Sequence, residues 1–247
     1  MRGVILAGGL GTRLRPLTLV ANKHALPVYD QPMVFHVVGY LREAGVHDIM
    51  LISGREHCGD LIGLLGSGKD LGVELTFRVQ EEANGIAGAL GLCRDFAQGG
   101  PIVVVLGDNL LENGICPLVA QYYRYNRDAM IFTKEVSDPQ RFGVATLGSD
   151  GKVLNIVEKP KNPETNLAVI GIYIYDHRVF SIIDTLMPSA RGELEITDVN
   201  RKYMDMGKLR CGQVVGWWTD AGTVASLHNA SILMQQLIEG KEKGEKA

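Results

Sequence analysis

Gly3-Val4-Ile5-Leu6-Ala7-Gly8-Gly9-Leu10-Gly11-Thr12-Arg13 opens the chain with a short apolar run that breaks at once into glycines. A run of this length reads as a buried strand, and the turn after such a strand is where an α/β sheet meets its ligands. Glycine permits positive φ and close approach, so the loop can present backbone N–H groups to phosphate oxygens. The alternation continues downstream. Apolar runs at Asp48 to Ser53, Glu74 to Val79, Ile102 to Leu106 and Ala129 to Lys134 are separated by helix-period stretches, the pattern of βαβ units and a largely parallel sheet. Within Met33 to Ala44, Val34, Val37, Val38 and Leu41 form one apolar stripe at helical spacing.

Later the pattern changes. Phe142 to Leu147 and Lys152 to Glu158 flank Ser149-Asp150-Gly151, whose Asp-Gly favours a tight hairpin, so an antiparallel insert is expected there. Leu167 to Tyr175 reads as another strand, and Ile196 to Met206 and Thr223 to Ile238 as helices. The expected architecture is a single Rossmann-like α/β domain over residues 1–239, with a mixed, mostly parallel central sheet. The Lys-, Glu- and Gly-rich tail Gly240 to Ala247 is expected to be disordered.

Composition narrows the function. A formal charge of −3 with both signs scattered along the chain offers no basic face to a nucleic acid. No stretch approaches a membrane span, and Cys58, Cys93, Cys116 and Cys211 lie too far apart for a zinc site or a disulfide framework. A cytoplasmic enzyme of small-molecule chemistry is expected. The first glycine loop is not a dinucleotide fingerprint, because Leu14 stands at the third glycine's place and the second strand ends at Ser53 without an acid for a ribose. Gly63-Leu64-Leu65-Gly66-Ser67-Gly68-Lys69-Asp70 imitates a P-loop, but Asp70 replaces the Ser or Thr that would hold magnesium. It reads as a surface turn.

The first loop continues through Arg13-Leu14-Arg15-Pro16-Leu17-Thr18, Asn22-Lys23-His24-Ala25-Leu26-Pro27-Val28 and Gln31-Pro32-Met33. This stretch resembles the signature of the sugar-nucleotide pyrophosphorylases. The resemblance continues at Gln80 with Gly85-Ile86-Ala87, at Gly107-Asp108-Asn109, at Arg141-Phe142-Gly143-Val144 and at Glu158-Lys159-Pro160. It runs on through Ala168-Val169-Ile170-Gly171, Arg191 to Asp198 and Trp217-Trp218-Thr219-Asp220, and covers all but the tail. It is strongest to the short, thymidylyl branch of the family.

The resemblance implies transfer of a nucleoside monophosphate from dTTP, or alternatively UTP, to glucose 1-phosphate. It implies a homodimer or homotetramer without membrane or nucleic-acid partners. The nucleotide would be held by Leu6, Gly8, Gly9, Gly11, Thr12, Arg13, Gln80, Gly85 and Asp108, and the sugar phosphate by Lys23, Gly143, Glu158, Lys159 and Val169. In the family, acids matching Asp108 and Asp220 bind one magnesium ion.

Chemistry supports these residues apart from the likeness. Attack of one phosphate on another gathers several anions, so cations must converge. The planar fork of Arg13 suits a triphosphate, and the point charge of Lys23 suits a bridging position; with Asp108 they form the expected catalytic set. Gln80 can both donate to and accept from a pyrimidine, Glu158 can accept from sugar hydroxyls, and Lys159 stands beside it for the phosphate. Mg²⁺ prefers oxygen ligands, commonly one or two carboxylates with phosphate and water. A catalytically silent sugar-nucleotide-binding regulator is the alternative class, and the joint presence of Arg13, Lys23, Asp108 and Asp220 speaks against it. Gly88, where many members carry glutamine, is expected to loosen contacts near the nucleotide. Trp217 and Trp218 are expected to serve packing.

Overall fold

In the computed structural model, which describes residues 1–125 and 128–244, the apolar runs are strands. The strands are β1 (Arg2–Ala7), β2 (Pro27–Val28), β3 (Gln31–Pro32), β4 (Asp48–Gly54), β5 (Glu74–Gln80), β6 (Ile102–Leu106), β7 (Asn109–Leu111), β8 (Ala129–Glu135), β9 (Gly143–Leu147), β10 (Val153–Glu158), β11 (Leu167–Tyr175), β12 (Leu209–Gln213) and β13 (Trp218–Asp220). The α-helices are α1 (Met33–Glu43), α2 (Cys58–Leu65), α3 (Ile86–Gly91), α4 (Arg94–Ala97), α5 (Cys116–Arg124), α6 (Arg178–Ile183), α7 (Ile196–Asp205) and α8 (Val224–Gly244).

The sheet runs β10-β9-β11-β6-β1-β4-β5, with β8 on the far edge of β11 and β12 beyond it. Strands β6, β1, β4 and β5 are mutually parallel. Strand β11 is antiparallel to β6 through Ile172 to Tyr175 and, at its other end, antiparallel to β9 through Ala168 and Val169. The hairpin β9–β10 is the antiparallel insert expected around Asp150-Gly151; there Gly148 N–H donates to the Lys152 carbonyl at 2.8 Å. Successive side chains of a strand point to opposite faces, and the core divides accordingly. Ile5, Val103, Val105 and Ile172 face α1, whose stripe of Val34, Val37, Val38 and Leu41 is buried against them. Val4, Leu6, Val104 and Tyr173 face the other layer, where Val179, Phe180, Val199 and Tyr203 of α6 and α7 pack.

Two differences from the sequence reading have local causes. Helix α8 continues to Gly244, into the tail expected to be disordered, because Leu237 and Ile238 pack on the core and the Lys and Glu that follow are good helix formers; residues 245–247 lie outside the described ones. Strands β7, β12 and β13 carry too few apolar residues to announce themselves, and each is a strand because a partner pairs with it, as β12 does along β8 from Leu209 to Gln213. Of the P-loop imitation, Gly63 to Leu65 complete α2 and the remainder turns toward β5, with Gly66 and Gly68 at positive φ. The four cysteines are free, and no described helix is long and apolar enough to cross a membrane.

The end of β11 is fastened by a buried charge. Arg178 Nε donates to Asp176 Oδ2 at 2.6 Å and Tyr203 Oη donates to Asp176 Oδ1 at 2.7 Å, while the same guanidinium reaches Asp128. Burial alone would raise the Asp176 carboxyl, but the hydrogen bonds from Arg178 and Tyr203 outweigh it and hold it below its usual value. A depressed carboxyl contributes stability that is present above its unfolded value of about 4 and is lost as pH falls through the lower folded value. Asp176→Asn is therefore expected to cost about 1–3 kcal/mol in urea unfolding at pH 7. The gap to wild type should narrow below about pH 4; a gap that ignores pH would show that the charge is not what fastens this strand.

Candidate active site

The carboxyl ends of β1, β5 and β6 lie at one edge of the sheet, where the chain turns out of each strand and leaves side chains over open space. Two chambers open there. The smaller, about 250 Å³, is lined by Leu6, Gly8, Gly9, Lys23, Gln80, Gly85 and Asp108. The larger, about 680 Å³, is lined by Thr12, Arg13, Asp108, Gly143, Glu158, Lys159, Val169 and Asp220. They share Ile86, Leu106, Asp108 and Glu193. Of the residues expected at the site, all but Gly11 line one chamber or the other. Gly11 sits behind them at φ 58°, where Thr18 Oγ1 donates to its carbonyl at 2.8 Å and fixes the turn that carries Thr12 and Arg13.

The chambers divide these residues differently from the expected groups: Thr12 and Arg13, expected with the nucleotide, line the larger, and Lys23, expected with the sugar phosphate, lines the smaller. Its Nζ lies 2.5 Å from Asp108 Oδ2, and Asp108 borders both chambers, so the pair stands at their junction. Burial would raise the Asp108 carboxyl, but the Lys23 ammonium and a hydrogen bond from Asn109 hold it far below the carboxylate range. His24, the next residue, is fully enclosed; burial and the Lys23 charge push it down to about 3, so the imidazole is neutral at pH 7. Its backbone N–H donates to Asn22 Oδ1 at 2.8 Å, which caps the short turn that holds Lys23 in place, and its ring Nδ1 meets the same oxygen at 2.7 Å.

Asp220 arrives from a distant part of the chain. It ends β13, where it stands opposite Asn109 in an antiparallel pair, and Ala221 N–H donates to the Asp108 carbonyl at 2.8 Å. The two acids are thus neighbours across a ladder. Burial and the charge of Asp108 raise the Asp220 carboxyl against the pull of Arg141 and Arg13. Mutual repulsion between two carboxylates beside a cavity, with oxygen donors only, fits a hard divalent cation that keeps water and phosphate for its other ligands. Among the described residues no group of three or more His, Cys, Asp or Glu gathers that could hold a metal ion. Asp108 and Asp220 are the residues that would hold magnesium.

Several lining residues carry a geometry that the sequence reading did not assign. Arg141 Nη2 lies 3.1 Å from Asp220 Oδ2, and its Nη1 lies 2.7 Å from Asp138. Arg191 holds Glu195 at 2.8 Å and approaches Glu158 at 3.5 Å, and Thr197 Oγ1 donates to Glu158 Oε2 at 2.6 Å. The side chain of Asn109 joins three elements: Nδ2 donates to Asp108 Oδ1 at 3.0 Å, while Oδ1 accepts from Gly171 N–H at 2.9 Å and from Trp218 Nε1 at 2.8 Å. Trp217 and Trp218 both pack against the core, as expected, and Trp218 in addition lines the larger chamber, where it meets Phe142 edge-on. The available signals were an arginine or asparagine inside each quoted motif and, for Lys159, a place after a strand end. In the structure Lys159 adopts φ 43°, a left-handed conformation that aims it at the cavity and is uncommon for lysine.

The chain is similar to known proteins over nearly its whole length. Residues 2–236 match the profile of the nucleotidyl transferase family. A glucose-1-phosphate thymidylyltransferase of Xanthomonas campestris pv. campestris is 41% identical over 239 residues, 96% of this chain and 81% of that protein. The low-salt glycan biosynthesis nucleotidyltransferase of Haloferax volcanii is 40% identical over 245 residues, 99% of this chain and 69% of that protein. A crystal structure from Bacillus anthracis, provisionally assigned as a glucose-1-phosphate thymidylyltransferase and holding sucrose, superimposes with a TM-score of 0.90 at 51% identity over 94% of both chains. The fold alone is shared with a UDP-glucose pyrophosphorylase complexed with UDP-glucose, at a TM-score of 0.85 and 24% identity, over 95% of this chain and 98% of that one. By its matched length and these likenesses, this chain belongs to the nucleotidyl transferase family.

Proposed function

We propose that the protein transfers a thymidylyl group from dTTP to glucose 1-phosphate, with magnesium, and releases pyrophosphate. The observation that carries this reading is the junction of the two chambers, where Lys23 and Asp108 meet. The smaller chamber has a glycine floor and one neutral amide, Gln80, which suits a base and its sugar. The larger has Arg13, Lys159 and Arg191 among carboxylates, which suits phosphates and a hydroxylated ring. The Xanthomonas relative is named a glucose-1-phosphate thymidylyltransferase, and the extent of the likeness supports the same substrates here.

In the reaction an oxygen of the sugar phosphate attacks the α-phosphorus, the bond from that phosphorus to the bridging oxygen of the β-phosphate breaks, and pyrophosphate leaves in line. The obstacle is anionic crowding. Lys23, at the junction, is positioned to lie between the attacking phosphate and the α-phosphate, and Arg13 to hold the triphosphate. Glu158, hydrogen-bonded by Thr197 and approached by Arg191, accepts from sugar hydroxyls, so the ring meets a carboxylate already directed by a neighbour. Magnesium, when bound, neutralises charge on the α-phosphate and the leaving group.

The substrate assignment is tested by following pyrophosphate release with each nucleoside triphosphate against several sugar 1-phosphates. The pair dTTP and glucose 1-phosphate is expected to give the highest kcat/KM, and a preference for a purine triphosphate would refute the assignment. The two acids are tested by charge removal. Asp108→Asn and Asp220→Asn are each expected to lower kcat by about two orders of magnitude or more, with partial recovery at high magnesium. The double variant should be little worse than either single one, because both act on one ion. Fully additive losses would assign the aspartates separate roles.

A further inference from the structure

Gln80 ends β5 with its amide between two elements. Nε2 donates to Asn84 Oδ1 at 2.9 Å and to the Gly85 carbonyl at 3.4 Å. A backbone carbonyl can only accept, so the Gly85 contact decides which end of the amide is nitrogen. With both of its hydrogens engaged, Gln80 has one polar atom left, Oε1, which lies against the glycine loop at Gly8. The expectation from sequence was an amide that both donates and accepts; the structure leaves it an acceptor.

Asn84 owes its position to two neighbours. Its backbone is pinned because Leu194 N–H donates to the Asn84 carbonyl at 2.7 Å, and Ala87 N–H returns a bond to the Leu194 carbonyl at 3.1 Å. Its side chain fills the space over Gly88, where a Cβ would collide with the Asn84 carboxamide. The absence of a side chain at Gly88 therefore does not loosen the nucleotide end: it makes room for the residue that orients Gln80.

We propose that Asn84, seated over Gly88, is a positioning residue that locks the Gln80 carboxamide with its oxygen toward the base, so that the pocket selects a pyrimidine whose N3 carries a hydrogen over one whose N3 is a bare acceptor. Uracil and thymine offer that N–H; cytosine offers a lone pair at the same place and meets another lone pair. The inference rests on reading the smaller chamber as the base pocket.

The test is calorimetric binding of dTTP and dCTP with magnesium to the intact protein and three variants. Wild type is expected to favour dTTP. In Asn84→Ala the freed amide can turn its nitrogen to the base, and the dTTP to dCTP affinity ratio should fall by about tenfold. Gly88→Ala, a change that favours helix, should reduce the ratio similarly by displacing Asn84. Asn84→Asp keeps the acceptor and should keep the ratio. A merely structural role would lower both affinities together. A preference for dTTP that survives unchanged in Asn84→Ala and Gly88→Ala overturns this inference alone, and a wild-type protein that binds neither triphosphate overturns the base-pocket reading with it.

Discussion

The carboxamide of Asn109 is where the halves of this molecule meet. Strand β6 is bonded in parallel to β1 along one edge and antiparallel to β11 along the other, so the parallel unit and the antiparallel unit share one strand. The ladder between β11 and β8 is irregular between Val169 and Tyr173, and there the Gly171 N–H turns to Asn109 instead of to a strand. The same oxygen receives Trp218 from β13, and the same amide nitrogen supports Asp108. A buried side chain with its polar atoms satisfied is rigid, and an error in any of the three elements would leave one of those atoms unpaired at a cost of about 1–3 kcal/mol. The acids at Asp108 and Asp220 owe their adjacency to this arrangement.

Around that centre the charges are arranged in opposed pairs. Lys23 meets Asp108, Arg141 meets Asp220 and Arg191 approaches Glu158. The pairs differ in exposure. The Lys23 and Asp108 side chains are 15% and 11% exposed, against 42% and 26% for Arg191 and Glu158. The first pair lies in the less screened surroundings and is the one whose loss would leave an uncompensated buried charge; the last is closer to a surface contact, adjustable by an incoming sugar.

Much of the architecture was legible in the residues. The runs Ile102 to Leu106 and Leu167 to Tyr175 are strands with those very bounds, because short apolar runs rich in β-branched and aromatic residues suit a strand covered on both faces. The stripe of α1 was equally plain. What stayed hidden depended on partners distant in the chain. Asp220 was named only through the family resemblance, because nothing near it in sequence sets it beside Asp108 until β7 pairs with its strand, and Arg141 is an ordinary charge until Asp220 comes within reach. Trp218 was read as a packing residue, which it is, and its further place at the cavity shows only once its indole N–H meets Asn109 Oδ1. Gly88 showed the opposite problem: a missing side chain looks like slack, when its meaning lies in the neighbour that fills the gap.

The Lys23–Asp108 contact carries one more implication. A protein that must gather anions could leave its cations bare, but this one sets Lys23 against Asp108 and Arg141 against Asp220, so at these two places the resting cleft is close to electrically balanced. Ligand capture there is an exchange of counter-ions. A phosphate oxygen takes the position a carboxylate oxygen held, the ammonium has one partner before and one after, and most of the cost of drying that charge was met when the chain folded.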